Sequence, residues 1–140
     1  MKHFLPLLPL FLYLPVGLVS FSMAAKSLHS RSFIPFHQQA AKKPLSSLDP
    51  PLQSVILALM RVSGLGFLVV GLLLTIFPVV NYFRPHRFVQ IAIPAVCLVY
   101  CTGLFVANYS LHKQTKAATP WKGALAAAVM IAAGMVAAGL

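Results

Sequence analysis

VSGLGFLVVGLLLTIFPVVNYF, residues 62–83, runs for 22 residues without a charge. A helix needs about 20 apolar residues to cross the ~30 Å hydrocarbon core of a bilayer. Every backbone amide in that core needs an internal partner, which a helix provides. This stretch therefore reads as a transmembrane helix. Extended over the apolar residues before it, the span covers about 52–83, with Arg61 near the headgroups. Three more stretches of the same kind set the remaining spans at about 4–25, 88–111 and 121–140. The expected fold is all-α: an integral membrane four-helix bundle, one membrane domain over residues 1–140.

Composition agrees. Apolar types make up 59% of the 140 residues and charged types 9%, where a soluble domain carries about a quarter. So few charges cannot coat a water-facing surface. Asp49 is the one acid against 11 Lys and Arg, for a formal net charge of +10. In a soluble chain that excess would suggest nucleic acid. Here the cations lie between apolar runs, where they set topology and meet anionic headgroups, so no nucleic-acid partner is expected.

The connections have their own chemistry. Asp49-Pro50 suits an N-cap followed by the first helical position, and Thr119-Pro120 repeats the pattern before the fourth span. Arg84-Pro85 breaks the chain into a tight turn. Residues 26–51 are basic and rich in Pro and Ser, which predicts an irregular loop lying partly on the membrane through Phe33, Ile34 and Phe36. Trp121 and Lys122 suit an interface. Met1-Lys2-His3, an apolar core and Ser22-Met23-Ala24 also fit a signal peptide, but the core is long and the following loop basic, so the first span is expected to be retained. Lys2, Arg84 and Arg87 mark one side of the membrane. Lys26, Arg31, Lys42, Lys43, Lys113, Lys116 and Lys122 mark the other. The positive-inside rule puts the richer side, the first and third loops, in the cytoplasm and both termini outside. The expected location is a cell membrane of the bacterial inner-membrane kind, crossed several times.

At 100° per residue, Gln90, Cys97, Cys101 and Asn108 fall on one line of the third span, with Pro94 close by. Such a stripe is expected to face the bundle, where polar groups find partners. The second span carries a small-residue face with Gly64, Gly71 and Thr75, and the two faces are expected to meet. Thr75 is expected to hydrogen-bond across helices. Arg61 reads first as a snorkelling cation and second as an anchor for a lipid phosphate or anionic ligand. The last span repeats small-x-x-x-small pairs such as Gly123/Ala127 and Gly134/Ala138, a packing surface. Cys97 and Cys101 lack the His or acid that would complete a metal site, and two side chains four apart on a helix bridge poorly. The five histidines lie outside the uncharged spans. No catalytic residue, metal or cofactor is expected.

Leu59-Met60-Arg61-Val62-Ser63-Gly64-Leu65-Gly66, leading into Gly71-Leu72-Leu73-Leu74, together with Ala117-Ala118-Thr119-Pro120-Trp121, resembles small four-helix bacterial membrane proteins of the DoxX-like type. The resemblance covers the chain from about residue 50 onward. It implies a four-span bundle and transfers no catalytic residue. Three functions compete. The leading one is non-enzymatic, acting through packing with a lipid, a membrane-protein partner or a second copy. The others are a subunit of a membrane redox or quinone-linked complex and a small oligomeric transporter. Compact multidrug exporters depend on a membrane-embedded Glu, and no span here holds an acid.

Overall fold

The computed structural model describes residues 7–139. Met1 to Pro6 and Leu140 lie outside the described residues, and with them Lys2, His3 and the ends of the first and last expected spans. The elements are α1 (Leu8–Leu28), α2 (Pro35–Ala41), a 3-10 turn (Leu45–Ser47), α3 (Pro50–Phe83), α4 (Arg87–Thr115) and α5 (Trp121–Gly139). All but α2 and the turn are long and apolar enough to cross a membrane.

The four long helices close into a ring. α1 packs on α3 and α5, and α4 packs on the same two, the α1–α3 and α4–α5 contacts being the most extensive. Tyr13, Val16, Val70, Leu74, Cys97, Cys101 and Ile131 fill the centre. Outside, every long helix shows large apolar side chains: Leu18 and Val19, Val62 and Val69, Val96 and Val99, Val129 and Val136. A soluble monomer rarely exposes such a continuous apolar surface, whereas lipid covers it without cost.

α3 has 34 residues, about 51 Å at 1.5 Å per residue, well beyond a ~30 Å core. Its first turns therefore stand outside the hydrocarbon. Gly64 lies against Ser27 and Leu28 at the end of α1. Arg61, exposed, sits one turn beyond that level, as a snorkelling cation would.

The connections are more ordered than the sequence suggests. α1 continues to Leu28, and α2 occupies the middle of the first loop with Pro35 in its first turn. Lys42 ends α2 with a left-handed φ of 55°. The Gln39 side-chain oxygen accepts from the Ala118 amide at 3.2 Å, tying the first loop to the third. Asp49 holds the extended N-cap position of α3, but its side chain caps nothing. Thr119 does not cap α5. Its buried hydroxyl donates to the Asn108 carbonyl of α4 at 2.8 Å, and the Pro120 carbonyl starts the α5 ladder. The α3–α4 turn is pinned by the His86 amide donating to the Asn81 side-chain oxygen at 3.0 Å. At the other end, Trp121 packs edge-on against Tyr109, with Lys122 Nζ 5.6 Å from the indole centroid.

Pro15, Pro78 and Pro94 lie inside α1, α3 and α4. Each removes one helical hydrogen bond, freeing the carbonyl four residues earlier.

Candidate binding cavity

The expected stripe of α4 faces inward in its middle, from Pro94 to Cys101, and is half-buried at its ends, Gln90 and Asn108. Pro94, Cys97 and Cys101 are buried, and both cysteines are free thiols. Asn108 is half-buried and donates back to Leu104 of its own helix at 2.8 Å. The neighbour of this stripe differs from the expectation. Gln90 donates to the Ala138 carbonyl of α5 at 3.2 Å. Gly64, Gly71 and Thr75 face α1 instead of α4: Gly64 meets Ser27 and Leu28, Gly71 meets the Phe21 ring, and Thr75 lies over Gly17. Thr75 spends its hydroxyl on the Gly71 carbonyl at 2.7 Å, within its own helix. α4 approaches α3 at Gly66, where a Cβ would stand 2.5 Å from the Tyr100 hydroxyl. That hydroxyl donates to the Ser63 carbonyl at 3.2 Å. Gly66 is two residues, 200°, around the helix from Gly64, so one glycine serves each neighbour.

The stripe's burial has a direct readout. Cys97 and Cys101 are 0% and 4% exposed, and Val99 is 74% exposed. A lipid-soluble maleimide is expected to label both native thiols in intact membranes roughly tenfold or more slowly than a cysteine placed at Val99. Equal rates would show that the stripe faces lipid.

At the end of the bundle that holds the α3–α4 turn, the four long helices part around a cavity of about 680 Å³. Leu10, Leu73, Phe77, Ile93 and Ala137 give it apolar walls. In α3 the lining runs from Leu73 to Phe83, about 15 Å of helix and half of a ~30 Å core. The cavity is one leaflet deep. Pro78 and Pro94 both line it, and so do Leu74 and Gln90, whose carbonyls the two prolines free.

Four side chains bring polarity: Tyr13, Asn81, Gln90 and the exposed Tyr82. Asn81 commits its oxygen to the turn, and Gln90 commits its nitrogen to Ala138. Asn81 Nδ2 and Gln90 Oε1 are left without partners among the described residues, and neither is sealed from solvent-sized molecules. Tyr13 forms the inner wall. It is 3% exposed, and its sealed hydroxyl has no hydrogen-bond partner. Its ring lies on Gly134, with Cε1 the nearest atom to the Cβ that position lacks and Cζ 2.7 Å from it. Tyr13 did not stand out in the sequence, and Asn81, with Tyr82 and Phe83, reads there only as a residue suited to the membrane interface. Arg61 is far away, about three turns before Leu73 on α3.

A second cavity of about 470 Å³ lies under α2, between Phe33, His37, Ile56, Leu59, Met60, Ser63 and Leu111. Phe33 therefore packs toward α3 and α4, where the sequence suggested the membrane surface. His37 stacks near Phe36, with centroids 4.1 Å apart, and its buried Nδ1 has no partner. Burial lowers its pKa from the ordinary 6.5. The folded form thus favours neutral imidazole, and the unfolded form binds the proton more readily. The docking of α2 is complete above pH 6.5 and is expected to weaken as pH falls from there through the lowered pKa. Protection factors of the α2 amides, with the intrinsic pH dependence of exchange divided out, should fall over that window in the wild type and stay flat in His37→Phe.

No family model, curated protein or solved structure matches this chain. Its class is defined by its own architecture: an all-α bundle with four helices fit to span a membrane, a multi-pass membrane protein. Among the described residues, no three His, Cys, Asp or Glu side chains gather as a metal-binding group.

Proposed function

We propose that this protein is a non-enzymatic membrane protein that takes an amphipathic molecule of the bilayer into the cavity between α1, α3, α4 and α5. The observation that carries the reading is the cavity itself: concave, about 680 Å³, with apolar walls and few polar groups. Those are the features of small-molecule sites, which span about 300–1,000 Å³. Its polar side chains are two amides and two tyrosines, a set that orients a ligand and contains no acid–base pair. The proposal includes a bacterial inner-membrane location with the first and third loops cytoplasmic, so that the cavity opens toward the outer leaflet. It also includes kinship with DoxX-like proteins, supported by the four-span arrangement, and takes no site residue from them.

Filling the cavity tests the reading. Ala137→Phe places a ring where the wall is a methyl group. Photoreactive lipid added to the purified protein is expected to crosslink to the wild type at α3 and α4 lining peptides, and roughly tenfold less to the variant. Thermal melting of both proteins separates lost binding from lost folding. Undiminished crosslinking in a folded variant would overturn the proposal. A reporter fused after Leu140 that works only in the cytoplasm would overturn the orientation.

A further inference from the structure

We propose that the occupant of this cavity is an acyl amphiphile with an anionic oxygen head, a carboxylate or a phosphate, held head-outward at the rim by Asn81, Arg84 and Arg87. The inference rests on the cavity reading above and adds the ligand's chemistry and direction.

The rim is the α3–α4 turn. Phe83 and Pro85 line the cavity on either side of Arg84, and Val89 lines it two residues after Arg87. Both arginines are exposed. The chain's one acid, Asp49, stands before the first turn of α3, at the opposite end of the bundle. Among the described residues, no acidic side chain at this end pairs with the two guanidinium groups, which stand beside a low-dielectric wall. Arginine presents a planar fork that suits carboxylate and phosphate oxygens.

The hydrogen-bonding groups follow the same order. Asn81 Nδ2, a donor, lies in the last turn of α3, next to the rim. Its oxygen is already taken by His86, so the amide cannot turn to offer an acceptor without breaking the turn's hydrogen bond. Deeper in, the walls are Leu73, Phe77 and Ile93. Cations and a fixed donor at the mouth, then an apolar shaft one leaflet deep, match an anionic head on a hydrocarbon chain. A neutral alcohol of the same chain would fill the shaft and leave the rim charges unused.

The test uses the full chain in phosphatidylcholine nanodiscs at pH 8 and low salt. Three diazirine probes are compared: an 18-carbon fatty carboxylate, a phosphatidylglycerol and the 18-carbon alcohol. Both anions, or one of them, are expected to label the Leu73–Phe83 and Val89–Pro94 peptides at roughly tenfold lower half-saturation than the alcohol. Labelling by the carboxylate alone identifies a free fatty acid, and by phosphatidylglycerol alone a phospholipid. Arg84→Gln with Arg87→Gln should erase the preference and leave alcohol labelling unchanged. Added salt should narrow it in the wild type. Equal half-saturation for all three probes, unaffected by the arginine changes, would overturn the anionic head and leave the cavity reading standing. Absence of saturable labelling by any probe would overturn both.

Discussion

Gly134→Leu is expected to break the contact between α1 and α5 and to lower the midpoint of thermal unfolding by about 10 °C, for a loss of roughly 3 kcal/mol. A Cβ at Gly134 would stand 2.7 Å from Tyr13 Cζ and 3.0 Å from its hydroxyl oxygen. Tyr13 cannot swing clear, because it is 3% exposed and packed in one cluster with Cys97 and Ile131. Its orphan hydroxyl already costs about 1–3 kcal/mol of desolvation, which the packing of its ring in the core and on Gly134 must offset. The loss should be strongly non-additive with Tyr13→Ala, since that substitution removes the clashing ring. A double variant as unstable as the sum of its singles would show that this contact does not hold the helices together.

Gly17→Leu is expected to be equally severe for the α1–α3 pair, for a different reason. At Gly17 the added Cβ meets Thr75 Cγ2 at 2.7 Å and the Gly71 carbonyl oxygen at 3.3 Å. The methyl can be deleted, but the carbonyl is backbone. Gly17→Ala should cost about 1–2 kcal/mol, and Thr75→Ser should restore most of it, because serine keeps the hydroxyl bond to Gly71 and loses the methyl. Gly17→Leu should cost about 3 kcal/mol or more and resist the same rescue. Gly103 is the control. Nothing lies within 4 Å of its missing Cβ, so Gly103→Ala should gain up to about 1 kcal/mol from helix propensity. Unfolding midpoints of the five variants decide the matter, and a Gly17→Leu protein as stable as Gly103→Ala would refute the close approach.

These contacts show how far the sequence could be read. The spans were legible because a bilayer enforces length and apolarity residue by residue. The inward turn of Cys97 and Cys101 was legible because 100° periodicity is a property of one helix. Which neighbour a face meets belongs to two helices. In a ring each helix has two neighbours, so the face carrying Gly64, Gly71 and Thr75 could have met α4 as well as α1. Tyr13 and Gly134 come from opposite ends of the chain, and nothing local links them. α2 has seven residues, too few for a periodic pattern, although Pro35 at its start was a usable signal. The cavity was hidden most deeply. It exists where Ala137, Ala138 and two prolines leave space, and unfilled volume has no residue of its own to announce it.

The three interrupted helices have a mechanical consequence. Gly17 lies against Thr75, so Pro15 and Pro78 sit at nearly the same depth, and Pro94 lines the same cavity as Pro78. α1, α3 and α4 are each missing a rung near one level, while no proline lies inside α5. Toward the α1–α3 loop, the staves of this barrel are continuous and locked by Gly64 against Ser27 and Leu28. Toward the α3–α4 turn, three staves are scored and one is whole. Bending stress on the bundle is therefore expected to concentrate at the scored level, with α5 the one stave there that no proline interrupts.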